Sequence, residues 1–537
     1  MDLRESYDYI VIGAGSAGCA VAGRLAEDQS CRVGLIEAGP PSKGRLFEVP
    51  GLYPRQLKSL YDWDLHTEPE LQLGGRRNYL PRGRVVGGTS AMNSMLYVRG
   101  NRADYDGWKV EGWSYDEVLP FFRLSEDNER GESAFHGVGG PLRVSDARSI
   151  HPLLYAWVDA AVEAGHSLNP DFNGAVQEGV GIYQVTQRDG LRCSSARAFL
   201  DPVAGQDNLQ ILDSTLALRL VFEGTHAVGV EVDRGGAVRT IYASEEIIVS
   251  AGAYQSPHLL LLSGVGPADD LREAGIAIVA DLPEVGRNLQ DHCGSLLALP
   301  TTTDHLLLGG DTSAAEEELY ATGYSPLTWV EGGAFVRSRP ELEAPDLQFH
   351  ATLGLTVDEG LGVTSRAGLS FGPYRGRPAS RGWVKLRTPE PYSKPRILHN
   401  FLEEESDRVV LRDGLRLALE IAEQPALRQH LVGLDAARSE GLIPRSDGDA
   451  DLDEFIERTA FAFYHPCGTC AIGTVTDPTL RVHGVEGLRV ADASVIPNEI
   501  TGNTNAPSIM IGERAADMIR TGATSAAGSA HAPRAAA

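Results

Sequence analysis

The apolar positions along the chain change period several times, and the changes mark out its elements. Tyr9–Ile12 is a short apolar run that reads as a strand. Ala17–Glu27 carries its apolar residues at helical spacing, and Val33–Glu37 is apolar up to its final carboxylate. The N-terminus therefore reads as strand, turn, helix, strand. A stretch rich in Gly, Arg and Pro follows, from Gly74 to Gly100. Gly112–Asp127 and Leu154–Gly165 then show helical periodicity. From Leu209 the pattern alternates or runs apolar over short lengths. Leu209–Gly224, Ala227–Asp233 and Glu245–Gly252 predict strands, as do Asp346–Leu353 and Arg381–Thr388. Leu411–Glu423 predicts a helix. Leu488–Pro497 predicts a strand and turn, and Ala506–Ile519 a helix with Pro507 near its first turn. Such βαβ signals at both ends, with mixed strands between, predict two interleaved domains. One would hold a dinucleotide and the other would lie over it. Thr521–Ala537 is small, Ala-rich and poor in core formers, which predicts a disordered tail.

Composition narrows the classes of function. No window approaches the roughly 18 consecutive apolar residues of a membrane span. The N-terminus runs straight into a strand without the apolar core of a signal peptide. The 73 acidic and 48 basic residues leave a net charge of −25, which repels nucleic acid and anionic membranes. Six cysteines are scattered along the chain: Cys19, Cys31, Cys193, Cys293, Cys467 and Cys470. With no secretion signal, they predict a reduced, cytoplasmic protein. Cys467 and Cys470 have C-x-x-C spacing, but two thiols are too few for a zinc site. They read as packing, and no metal is expected.

Gly13-Ala14-Gly15-Ser16-Ala17-Gly18 fits G-x-G-x-x-G between a strand and a helix. The first glycine permits the tight turn, the second lets the backbone approach a pyrophosphate, and the third lets helix and strand pack closely. Glu37, at the end of the next strand, is placed to accept hydrogen bonds from an adenosine ribose. The plainer alternative is a structural βα turn with a surface glutamate. Pro81–Gly100 is a second glycine site, too far along the chain to belong to the first turn. Gly87 and Gly88 permit close backbone approach and Asn93 offers an amide, which suits a large planar cofactor. On spacing alone an ordinary surface turn fits equally well.

Four segments carry a resemblance. Gly83–Asn93 (GRVVGGTSAMN), Gly252–Gly266 (GAYQSPHLLLLSGVG), Phe463–Gly473 (FYHPCGTCAIG) and Leu488–Ile519 resemble, in order, the signatures of the glucose–methanol–choline oxidoreductase family of flavoenzymes. The resemblance runs from Tyr7 to Ile519. It implies an α/β FAD-binding Rossmann-like domain interleaved with an α+β substrate-binding domain carrying an antiparallel sheet. The expected division is 1–155, 205–298 and 466–520 for the FAD-binding domain, and 156–204 and 299–465 for the substrate-binding domain.

The resemblance also implies FAD, held by Gly13, Gly15, Ser16, Gly18, Glu37 and Ala38 at the ADP end. Gly87, Gly88 and Asn93 would lie near the flavin ring, Asp492 and Ala493 near the ribityl and pyrophosphate, and Asn505 would also contact the cofactor. Some relatives attach FAD through a histidine one residue before this asparagine; here that residue is Met92, which implies non-covalent binding. The implied reaction is oxidation of a primary or secondary alcohol to the carbonyl by hydride transfer to flavin N5. His465 would be the base and Asn503 would position the hydroxyl, although Asn505, two residues on, could take that role. A neutral imidazole suits the removal of a hydroxyl proton near pH 7, and a carboxamide can steady alkoxide-like charge without titrating. O2 or another acceptor would reoxidise the flavin. A redox-neutral lyase or decarboxylase of the same family is the alternative, and a nicotinamide-binding regulator a more remote one. Asp346–Leu353 and Trp329 read as pocket lining or core. Asp311–Gly323 reads as a solvated acidic loop or helix, or a lid over the entrance.

Overall fold

The computed structural model describes residues 5–148, 150–302, 330–360 and 366–522. Trp329, Asp311–Gly323 and the tail beyond residue 522 lie outside the described residues.

The first strand, Ser6–Ile12, is buried along its apolar run and lies parallel to Val33–Ile36 on one side and Ala237–Val249 on the other. Leu209–Leu212 extends the sheet beyond Val33–Ile36, also in parallel. Ala237–Val249 changes partners along its length. Its first half pairs antiparallel with His226–Arg234, which pairs in turn with Leu216–Glu223. Its last three residues pair in parallel with Leu488–Val490. The sequence marks only the second half of this strand because Ala237–Arg239 is exposed and lacks alternation.

The parallel strands all end on one edge, and the chain turns there. Gly13 N–H donates to Ile36 O at 2.8 Å, Ser250 N–H to Ile12 O at 2.7 Å and Ala491 N–H to Val249 O at 2.8 Å. A crevice beyond the carboxyl ends of parallel strands is where such folds take nucleotides. Two helices close it. Ser16–Ala26 starts directly from the glycine turn, and Asn505–Thr521 packs across it.

The second sheet is antiparallel. Its order is Phe461–Ala462, Cys293–Gly294, Gly368–Arg375, Leu347–Leu353, Val330–Val336, Gly179–Ile182, with Leu297–Pro300 also on Gly368–Arg375. The helix Glu405–Glu423 covers it. This helix begins six residues before the helix read from the sequence. Its first turns carry Ser406, Asp407 and Arg408, whose polarity hides the periodicity, while Asp407 is buried by bonds from Arg375 and Ser380. Each sheet has its own apolar core. Among the described residues, no helix is long and apolar enough to cross a membrane.

Candidate active site

A cavity of about 760 Å³ runs from the edge of the first sheet to the face of the second. Gly13, Gly15, Ser16, Glu37 and Ala38 line one end. Gly13 has φ +99°, and a Cβ there would stand 2.5 Å from Ser250 O, so the turn requires glycine. A Cβ on Gly15 would meet nothing closer than 4.0 Å. The backbone at Gly15 therefore lies open toward the cavity, a cradle that a side chain would fill. Glu37 Oε2 accepts from Ala14 N–H at 3.0 Å, and Oε1 from Gly39 N–H at 2.8 Å. Burial nonetheless pushes its carboxyl up to about 7, leaving an acceptor with unmet demand for donors.

The second glycine loop docks on the first. Gly87 N–H donates to Ala14 O at 2.7 Å, and a Cβ on Gly88 would lie 2.7 Å from the Gly15 Cα. Gly88 and Asn93 line the middle of the cavity with Asp492, Ala493 and Asn505. Ser16 Oγ donates to Asn505 Oδ1 at 2.7 Å, tying the glycine turn to the last helix. Asp492 is taken up by donors from Gly252 N, Ser256 Oγ and Ser494 N, so it joins two helical segments at the cavity wall. Of the residues singled out in the sequence, Gly18 and Gly87 do not reach the cavity, and the other twelve line it. Cys467 and Cys470 are buried outside it, and the Cys467 thiol donates to Glu499 Oε2 at 3.0 Å.

His465 and Asn503 meet at the far end, with Asn503 Nδ2 2.9 Å from His465 Nε2. The surrounding bonds decide which nitrogen carries the proton. His292 Nε2 lies 2.7 Å from Gly376 O and 2.9 Å from Ile500 O. Two carbonyl oxygens can only accept, so Nε2 carries the His292 hydrogen and its Nδ1 is a lone pair. His465 Nδ1, 2.9 Å from that lone pair, must then be the donor. This leaves His465 Nε2 as an acceptor facing Asn503 and the cavity. The same answer follows from the other side. Gln348 Nε2 donates to Asn503 Oδ1 at 3.1 Å, which turns the Asn503 NH2 group toward His465.

Burial, with His292, His350 and Arg82 nearby, holds His465 well below the usual imidazole value. Burial likewise pulls His292 down to about 4, and burial together with His292 pulls His350 down to about 3. These rings are neutral at pH 7. Asp291 accepts from the His465 backbone N–H at 2.7 Å and fixes the chain there. His350 and Thr352 reach the cavity from Leu347–Leu353, a strand the sequence left open between pocket lining and core. Phe461, Phe463 and Tyr464 form an aromatic wall beside them; the two phenyl rings stack at 4.9 Å. Glu359 also faces the cavity, but Asn78, Arg76 and Tyr79 N–H already bind its carboxylate.

Sequence reasoning missed His292. A signal was present: Gln290-Asp291-His292 is a polar triplet inside the apolar stretch Leu289–Leu299, and all three side chains are buried. Buried polar runs mark networks.

Comparison with known proteins identifies the family. Residues 7–294 and 378–512 match the family models described as GMC oxidoreductase. The chain is 42% identical over 544 residues to the mitochondrial choline dehydrogenase of Homo sapiens, covering 96% of this chain and 90% of that protein. It is 39% identical over 535 residues to the oxygen-dependent choline dehydrogenase of Brucella anthropi, covering 95% of each. The crystal structure of pyridoxine 4-oxidase from Mesorbium loti superposes with a TM-score of 0.84 at 30% identity, covering 96% of this chain and 99% of that one. The chain belongs to the GMC oxidoreductase family of FAD-dependent alcohol oxidoreductases.

Proposed function

We propose that this protein oxidises a primary or secondary alcohol to the aldehyde or ketone, with His465 as base, Asn503 positioning the hydroxyl, and FAD held non-covalently. The open backbone at Gly15, the under-supplied Glu37 carboxylate and the loop at Gly88 suit the ADP portion and the ring of FAD. Met92 offers no imidazole for attachment. When bound, FAD supplies the two-electron acceptor for a hydride.

The observation that carries the reading is the lone pair on His465 Nε2. A substrate hydroxyl that displaces the Asn503 amide from that nitrogen donates its hydrogen bond to the freed lone pair and accepts one from the Asn503 NH2 group. As the C–H bond weakens, the proton passes to Nε2, and Asn503 steadies the charge left on oxygen. His292 holds the imidazole in the tautomer able to do this. The aromatic wall and buried walls keep water from the reacting atoms.

The relatives named choline dehydrogenase make choline the first substrate to test. Its quaternary ammonium would meet the ring faces of Phe461, Phe463 and Tyr464, an arrangement favourable to cations. The Glu359 carboxylate, already bound, would add little. The test is anaerobic mixing of the yellow holoprotein with choline and with uncharged alcohols. Bleaching of the flavin by an alcohol supports oxidation. Turnover of a substrate with no bleaching would instead favour the redox-neutral alternative.

A further inference from the structure

Arg192 is among the largest fully buried side chains and has no carboxylate partner among the described residues. Its Nη1 serves three acceptors on one loop: Asn93 O at 2.7 Å, Asn93 Oδ1 at 3.0 Å and Ser90 O at 3.2 Å. Its Nε and Nη2 have no hydrogen-bond partner among the described residues. Burial draws the guanidinium down to about 9, which still leaves it charged at neutral pH. A buried, unpaired cation with idle donors is destabilising on its own. Bracing a loop would need only a neutral amide, so the charge asks for another reason.

The loop it holds is the one that meets the flavin site. Gly88, Thr89, Met92, Asn93 and Met95 all line the cavity. Asn93 Oδ1 also accepts from Met95 N–H at 3.0 Å, so the amide oxygen is fully engaged on the loop side. A flipped amide would press its NH2 against the guanidinium. Arg192 thereby fixes the amide, and the NH2 is the part of Asn93 left to face the cavity. Behind that donor sits a full positive charge in a low-dielectric interior, where it acts at longer range than in water.

We propose that Arg192 is a positioning and electrostatic residue for the cofactor. It orients the Asn93 amide as a donor toward the flavin, and its unpaired charge favours the reduced, more anionic cofactor over the oxidised one. This rests on the reading that FAD occupies the cavity.

The test is the two-electron midpoint potential of the purified holoprotein, measured by equilibration with a reference dye. Three variants are compared with wild type: Arg192→Met, Asn93→Asp and Asn93→Leu. Arg192→Met removes charge and clamp. Asn93→Asp keeps the clamp, adds an anion against Arg192 and removes the donor. Asn93→Leu removes the donor and leaves the charge. Arg192→Met and Asn93→Asp are each expected to bind reduced over oxidised FAD about tenfold less selectively, a fall of about 30 mV. Asn93→Leu is expected to fall by less. Wild-type potentials in Arg192→Met and Asn93→Asp would overturn the proposal. So would loss of FAD from all three, since Arg192 would then be a loop brace alone. A colourless wild-type protein would be the separate failure of the FAD reading.

Discussion

At the glycine-turn end of the cavity, Gly13, Gly15, Ser16, Glu37 and Ala38 come from one strand–helix–strand unit. At the reacting end, His292, Gln348, His465 and Asn503 come from four separate segments. The first end works through backbone shape, with a positive φ at Gly13 and an open approach at Gly15. Contiguous sequence specifies such shape directly. The second end works through side-chain hydrogen bonds whose direction is set by two carbonyl oxygens, Gly376 O and Ile500 O. No local pattern encodes that. The cofactor end can be tested by distorting one turn, the reacting end only by removing a partner from a chain of bonds.

The largest expected effect is at the turn. Gly13→Val places a branched side chain at φ +99° and against Ser250 O. The purified variant is expected to lose its bound flavin, read from its visible spectrum, whereas His292→Leu should keep its colour. A Gly13→Val protein with wild-type flavin content would dissolve the contrast between the two ends.

At the reacting end, His292→Leu removes the acceptor that fixes His465 Nδ1–H. The imidazole is then free to take the wrong tautomer, and anaerobic flavin reduction is expected to slow on the order of 10²-fold. An unchanged rate would mean that His465 is oriented without its neighbour.

Proton linkage distinguishes the ends further. Glu37 is raised from 4.5 to about 7 by burial. If Glu37 holds the FAD ribose as proposed, its ionised form would accept from the ribose hydroxyls, and FAD binding should tighten as pH rises through that window. The change should be at most about tenfold per pH unit below the higher value, and Glu37→Gln should abolish it in an apoprotein titration. His465 shifts the other way. Its pKa is lowered, so the proposed base is already neutral at pH 7. Reduction rates should stay flat from about pH 7 to 9 and fall only below the ordinary imidazole value of about 6.5. A limb centred on 6.5, the naive expectation for an exposed ring, would contradict the buried geometry.

The smallest effect lies away from both ends. Burial lowers His136, but the hydrogen bonds its ring donates to the Asp171 and Glu126 carboxylates, at 3.0 Å each, outweigh it and lift the ring from 6.5 to about 9. A raised pKa contributes stability that is whole below about 6.5 and is lost as pH rises through about 9. Relative to His136→Gln, wild type should be more stable by about 1–3 kcal/mol near pH 6. In thermal melts that gap should narrow toward pH 9.5.

Much of the architecture is legible in the sequence because the relevant interactions are local. Tyr9–Ile12 lies within a parallel strand, Val33–Glu37 overruns its parallel strand Val33–Ile36 by one residue, and Ala506–Ile519 falls inside the helix Asn505–Thr521. The reading falls short where burial is polar or exposure two-sided. Asp407 sits in a helix turn whose buried face is charged, and Ala237–Arg239 presents no alternation. His292 is the same failure at the site: a buried ring flanked by Asp291 in a stretch that otherwise reads as core.

The central claim is that His465 Nε2 takes the substrate proton. It is tested most directly by anaerobic stopped-flow reduction of His465→Ala holoprotein, using the alcohol that bleaches wild type. The account expects a variant that stays yellow with full flavin content yet is reduced about 10²–10⁴-fold more slowly. Reduction at near wild-type rate would show that the proton leaves to another group.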